Sequence, residues 1–456
     1  METSSAVLIA DVVKKDVVYS AECFDQRPLD SNTQLIVEYS VMALEAKYSL
    51  MAPGDTHDVI RKIDGAIDVV KGILNIGSVV FPPAAPVLEF FSGLGSGIQS
   101  LMGFIPDNRP NPVVEKYKEL EGVIHELEKI MEVHFADMQS FLTEHNFNVN
   151  IITQATTLTM YMRNCMKHQE KLDVDNFKSE YLKNYPLSAV YNMKSLLDNR
   201  QTNPLRKAMD AEEIKTKATF NKWKNIFTSI LGQYLFIEAF ARGLLDQSDF
   251  NQERIIQQWQ VLDENLENWA DEYKKDEKYW EALKNDFPGY FERNAHLSNA
   301  QKSKEIRERL ETYLTHDSFY VIVINESTEK DDGFFCSKWS TQMIATWKTG
   351  RCDAFVYRSR NGSKLQTKDY ERLERDFQDA NSLLRWNGNL VNMLRDQLKV
   401  KAQFSPYGLF GIIGMQCNAQ INAVNGGKEP GRLQRIWLKD QKGNNQGQYW
   451  LLIVAQ

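Results

Sequence analysis

At 456 residues, with 43% apolar and 25% charged side chains, the chain is too long for one ordinary core and too apolar to be disordered. A net charge of −7, with 54 basic residues scattered and no long block of either sign, argues against a generic nucleic-acid binder. The five cysteines (Cys23, Cys165, Cys336, Cys352, Cys417) lack the spacing of a zinc site and are too sparse for a disulfide framework. Cys336 and Cys352 could pair across neighbouring strands, although five free thiols is the plainer reading.

The opening METSSAVLIADVVKKD does not read as a signal peptide: its apolar run is short, Asp11 interrupts it, and no basic region precedes it. The expectation is a chain that is cytoplasmic as synthesised, or released without a classical signal, and membrane-associated when active. Asn325-Glu326-Ser327 and Asn361-Gly362-Ser363 match the glycosylation pattern, which matters only in a secretory chain.

Residues 1–55 form an N-terminal region with a helix-like stretch from Thr33 to Leu50, closed by Met51-Ala52-Pro53-Gly54. Asp55 and Thr56 suit the cap of a following helix, in which Val59, Ile63, Ala66 and Val70 recur at helical spacing. A long-helix bundle is expected over residues 56–290, and within it lies the segment on which the functional reading rests.

From Gly72 to Ile105 the sequence reads GILNIGSVVFPPAAPVLEFFSGLGSGIQSLMGFI, with Glu89 its one charge. Pro82, Pro83 and Pro86 must interrupt any helix, so the segment reads as two apolar arms about a proline turn. Ile73, Val79, Val80 and Phe81 supply the first arm. Leu88, Phe90, Phe91 and Phe104 supply the second, studded by Gly93, Gly95 and Gly97. Such small residues are frequent where helices meet in lipid, and in water each costs a helix about 1 kcal/mol relative to Ala. Glu89 falls near the tip, where a hairpin crossing a bilayer would carry it to the far side. In mid-arm it would cost on the order of 2.5–3.5 kcal/mol. The second arm approaches the ~20 residues of a full span and the first has about half of that. Ordinary core packing explains the apolarity equally well, and explains the glycines less readily.

Beyond Pro110-Asn111-Pro112, the positions Val113, Tyr117, Leu120, Ile124, Leu127, Met131, Phe135, Met138 and Leu142 hold one apolar stripe for a helix of roughly 50 Å. Helical stretches follow near 147–167, 173–199 and 205–245. The last contains IFTSILGQYLFIEAFARGLL, apolar nearly all round, which makes it a bundle centre or a membrane span. Glu238 and Arg242, four apart, can pair, which favours the bundle centre. A second stripe of Ile255, Trp259, Leu262, Leu266, Trp269, Tyr273, Trp280 and Leu283 is expected to run from near Asp249 until Pro288-Gly289 breaks it.

A smaller α+β domain is expected over residues 310–456. Its strands read as Phe319–Ile324, Phe334–Lys348, Ala354–Arg358, Leu409–Met415, Gln420–Val424, Leu433–Leu438 and Tyr449–Val454, with a helix over Lys368–Lys399. Asn425-Gly426-Gly427 and Lys442-Gly443-Asn444-Asn445 serve as turns. The fold class is thus mainly α: an elongated long-helix bundle with an apolar hairpin, followed by the α+β domain.

The order of these features, including VVEKYKELEGVIHELEKI and WQVLDENLENWADEY, resembles the rapunzel-like and cephalotoxin-like animal proteins over residues 55–285. More distantly it resembles the α-helical pore-forming toxins. The toxin resemblance implies a soluble form that hides an apolar hairpin and exposes it on oligomerising at a membrane.

Catalytic and ligand motifs fail one by one. Gly93-Leu94-Gly95-Ser96-Gly97-Ile98 has no preceding strand and ends on Ile98, and Gly426-Gly427-Lys428 lacks both the upstream glycine and the following Ser or Thr of a phosphate loop. His125 lacks the second histidine of a zinc helix, and His134 and His145 would stand about 16 Å apart. No cofactor, metal or catalytic residue is therefore expected. Trp339, Trp347, Tyr357, Trp386, Trp437 and Trp450 could line a carbohydrate or headgroup site, with core packing as the blander account. Arg351, Arg358 and Arg360 could meet anionic lipid or simply form a solvated strand edge. The expected function is non-enzymatic membrane insertion by the 72–105 hairpin, with membrane lipid or a membrane receptor as partner and self-association on the membrane. The alternative is a soluble helical scaffold presenting a C-terminal binding domain.

Overall fold

The computed structural model describes Asp64, Ile67, most of 115–126, Lys129, 142–168, 170–245, 250–325, 333–337, 340–349, 352–360, four positions between 368 and 375, 407–414, 420–424, 431–439 and 444–455. The N-terminal region and the whole 72–105 segment lie outside the described residues. Helices dominate, and the sheets are confined to the C-terminal part. Two compact units are distinguished. One gathers the described residues within Met1–Lys129, Thr156–Pro186 and Gln233–Gln252, and the other those within Ile130–Ala155, Leu187–Gly232 and Glu253–Gln456.

The described part of the 113–145 stripe is helical, with Leu120, Val123 and Ile124 buried. Helix α1 (Leu142–Phe147) passes through a π turn (Asn148–Ile152) into α2 (Thr153–His168). The wider turn shifts the inward stripe by one residue: Phe147 and Ile151 lead into Ile152, Ala155, Leu158 and Met162, all buried. One helix was expected over 173–199, but α3 (Lys171–Lys183) and α4 (Pro186–Asp198) divide it. Pro186 has no amide hydrogen and disfavours a helical Tyr185, so it suits the first turn of a new helix. Helix α5 (Pro204–Ala211) repeats the device and adds a cap, the Asn203 side chain accepting the Arg206 amide at 3.1 Å.

Helix α6 (Lys217–Leu245) carries the all-round apolar stretch, and every residue from Ile230 to Ala241 is buried. This is the bundle-centre alternative, for which an apolar surface on every side is the requirement. Helix α7 (Phe250–Lys274) and α8 (Lys278–Arg293) share the second stripe, and here the expectation is corrected. The break falls at Lys275-Asp276-Glu277, whereas Pro288 lies inside α8. Proline in a helix interior costs about 3 kcal/mol. Burial of Phe287 and Phe291 on either side of it, worth roughly 1.5–3 kcal/mol each, offsets that cost. Helix α9 (Asn299–Thr312) starts in a capping box between Ser298 and Gln301.

Two antiparallel four-stranded sheets follow. The first has the order β3 (Met343–Thr349), β4 (Cys352–Ser359), β1 (Ser318–Asn325), β6 (Gln420–Val424). The second has the order β2 (Gly333–Ser337), β5 (Tyr407–Gly414), β8 (Asn445–Ala455), β7 (Gly431–Lys439). Strand β1 is apolar without alternation because both its faces are covered. Phe319, Val321 and Val323 join Trp280, Leu283, Phe287, Ile306 and Leu310 of α8 and α9 in one core. Tyr320 and Ile322 join Leu409 of β5 and Leu452 of β8 in another. The result is helices, sheet and sheet in three layers. The single strand expected over Phe334–Lys348 is two, β2 and β3, separated by a turn at Ser340–Gln342 and assigned to different sheets. Cys336 on β2 and Cys352 on β4 therefore belong to different sheets and not to neighbouring strands. Of the expected helix over Lys368–Lys399, only Lys368, Glu371, Arg372 and Arg375 are described, and they are helical.

Candidate functional site

None of the residues expected to insert into a membrane is described. The other apolar stretch, α6, is, and it holds two polar side chains in its buried section, Gln233 and Glu238. Neither amide atom of Gln233 has a hydrogen-bond partner. Glu238, 1% exposed, accepts the Tyr181 hydroxyl of α3 at 2.9 Å and the Asn251 side-chain amide of α7 at 2.8 Å, both on Oε1. Oε2 is buried and has no partner. Asn251 also donates to the Tyr185 hydroxyl.

An aromatic wall positions the donor. Tyr181 stacks on Phe177 with centroids 5.9 Å apart, and Phe177 meets Phe240 edge-on at 5.2 Å. The Glu238 carboxyl is pushed above the usual carboxylate range, chiefly by burial, which the hydrogen bonds from Asn251 and Tyr181 only partly counter. Burial and the neighbouring Glu238 likewise push the Tyr181 phenol up. The pairing of Glu238 with Arg242 expected from their spacing does not form, since both contacts to the carboxylate are neutral. Its burial leaves the carboxyl no face for a substrate.

A second constellation joins α8 to the first sheet. Arg358 of β4, 4% exposed, reaches Glu277 at 3.0 Å and Asp317 at 3.5 Å, with its guanidinium 4.7 Å from the centre of the Trp280 ring. Arg360 reaches the same Glu277 carboxylate at 2.6 Å, and Tyr279 donates to Asp317. Hydrogen bonds from Arg358 and Arg360 outweigh the opposing burial and hold the Glu277 carboxyl below its ordinary range. Arg358 is thus neither a lipid contact nor a solvated edge residue, because two carboxylates and an aromatic face enclose it. Arg351 lies outside the described residues.

The aromatics of the sandwich divide. Tyr357 is core and donates to Gln342 at 3.0 Å. Trp450 is half-buried under the Arg435 guanidinium, 4.9 Å from its ring centre. Trp437 is 48% exposed. The side chains of Trp339, Trp347 and Trp386 are outside the description. Among the described residues, no group of His, Cys, Asp and Glu could hold a metal ion.

Residues 115–445 match the family model described as a protein of unknown function, DUF684. The chain belongs to the DUF684 family. No curated protein and no solved structure matches it. The DUF684 match takes in helices α1 to α9 and strands β1 to β7. Glu238, its two donors and the Arg358 cluster all fall inside it, and the 72–105 segment lies upstream. Sequence reasoning singled out Glu238 and Arg358 but missed Tyr181, Asn251, Glu277 and Asp317. Their roles come from tertiary neighbours 13 to 83 positions away, for which no local signal exists.

Proposed function

We propose that this DUF684 protein is a non-enzymatic, membrane-inserting protein that uses residues 72–105 as its inserting hairpin. The sandwich following the helices would serve as its recognition or regulatory module. The observation that carries the reading is the composition of that segment: 34 residues with a single charge, placed near the proline turn. The toxin resemblance read from the sequence would agree with it, whereas the rapunzel-like one implies no activity, and membrane lipid or a membrane receptor would be the partner. The test is dye release from vesicles of neutral and of mixed anionic lipid, at pH 7 and pH 5, by the purified full-length chain. Release is expected, together with protease resistance of 72–105 gained only with lipid. No release under any of these conditions, with the segment already resistant in lipid-free solution, overturns the proposal.

A soluble scaffold is the second reading, and a specific observation favours it. No described helix is long and apolar enough to cross a membrane, and the most apolar of them, α6, is enclosed as core. On this reading a stable protein partner is recovered by pull-down with the exposed Trp437 face, and Trp437→Ala weakens its capture.

A further inference from the structure

The break between α7 and α8 is unusual for what it lacks. Its sequence, Lys274-Lys-Asp-Glu-Lys278, holds neither glycine nor proline, and lysine and glutamate are good helix formers. The apolar stripe also keeps its phase across the break. Ile255, Trp259, Leu262, Leu266, Trp269 and Tyr273 are followed by position 276 and then by Trp280, Leu283, Phe287 and Tyr290. The steps alternate four and three without interruption, which is the heptad rule for one continuous helix. Asp276 is the single polar residue on that stripe.

Tertiary contacts impose the break. The last turn of α7 tightens, Asp276 donating its amide to the Tyr273 carbonyl at 3.1 Å. The Asp276 carboxylate accepts the Lys278 amide at 2.9 Å and so starts the next helix. Glu277 is gripped by Arg358 and Arg360. A second tie lies nearby, where the Leu314 amide donates to the Lys215 carbonyl at 2.9 Å and Thr216 bridges Tyr313. Helices α8 and α9 are bound to the first sheet through their apolar faces, and beside the polar contacts at the bend Ile214, between α5 and α6, packs against the same core.

We infer that residues 274–278 are a two-state hinge. When the Glu277 grip and the Lys215–Leu314 tie part, α7 and α8 fuse into one helix over 250–293, roughly 65 Å long. Helices α8 and α9 and the two sheets then turn as one body relative to α7. The apolar contacts of α8 survive the motion, since α8 moves with the sheet it covers. The hinge stands independently of membrane insertion, because either can fail without the other.

The test is backbone hydrogen exchange at residues 275–278 in the full-length chain. Asp276→Leu/Glu277→Ala fills the stripe and releases the grip, and exchange at these amides is expected to slow at least tenfold. Adding Lys278→Pro, which suits the first turn of a new helix and costs the interior of a continuous one about 3 kcal/mol, is expected to restore fast exchange at 275–277. Should the double variant lose its cooperative melt, Asp276→Leu alone is read in the same way. Exchange as fast as in the parent chain overturns the hinge. So does slowed exchange that survives the added proline, since a proline at 278 lacks the amide that a fused helix would bond to the Lys274 carbonyl.

Discussion

Glu238 has two neutral donors on one oxygen and nothing on the other, so its charge is poorly compensated. Burial raises its proton affinity in the folded state above the unfolded value of 4.5. Its stabilising share is therefore complete below that value and is lost as pH rises through the folded one. Glu238→Gln removes the titration. Thermal melts are expected to show a higher Tm than the parent at pH 8 and a flatter dependence between pH 5 and pH 8. A variant that tracks the parent with a constant offset would show that this carboxyl is not the source. Tyr181→Phe removes one of the donors and is expected to cost about 1 kcal/mol in urea denaturation, with no change in slope.

Helix ends show how much of each element was legible. Pro186 and Pro204 start helices, because a proline there forfeits no hydrogen bond, yet the reading of one stretch over 173–199 passed over the first of them. Pro288, the same residue type, does not end α8, because Phe287 and Phe291 are anchored beside it in a core shared with the sheet. Phe287→Ala is expected to destabilise by about 3–5 kcal/mol, a loss measurable by chemical denaturation that a surface helix would not suffer. Caps grade in the same manner. Asn203 is fully buried, caps α5 and also donates to the Leu197 carbonyl at 2.8 Å, whereas the Ser298 box of α9 faces solvent. Asn203→Ala should fall near the top of the roughly 0.5–2 kcal/mol range for lost caps, and Ser298→Ala near its bottom.

Across the whole molecule, periodicity disclosed what alternates and missed what is held from afar. The strand runs Phe319–Ile324, Gln420–Val424 and Leu433–Leu438 match β1, β6 and β7 closely, since apolar runs bounded by turn residues leave few other readings. Which strands share a sheet was not legible: β1 pairs with β4 and β6, and β2 with β5, through hydrogen bonds that carry no sequence mark. The partners of Glu238 and Arg358 were hidden for the same reason. For the proposed insertion, Gly95→Leu is the discriminating change. It is expected to reduce vesicle leakage at unchanged Tm if the segment acts in lipid, and to lower Tm without any separable membrane phenotype if the segment is core.

Strand β1 has one further consequence, for how the chain is made. Its six residues FYVIVI are uncharged, strongly strand-forming and apolar on both sides, the composition of an aggregation-prone window. The native sheet hides them between two neighbours. One of these, β4, is translated soon after β1. The other, β6, ends at Val424, about a hundred residues later. On the ribosome the β6-facing edge of β1 waits open for that interval, at synthesis rates of ~5–20 residues per second. Nascent DUF684 chains halted between Ser359 and Gln420 should therefore depend on chaperones, and full-length chains, in which β8 also covers the other face of β1, should not.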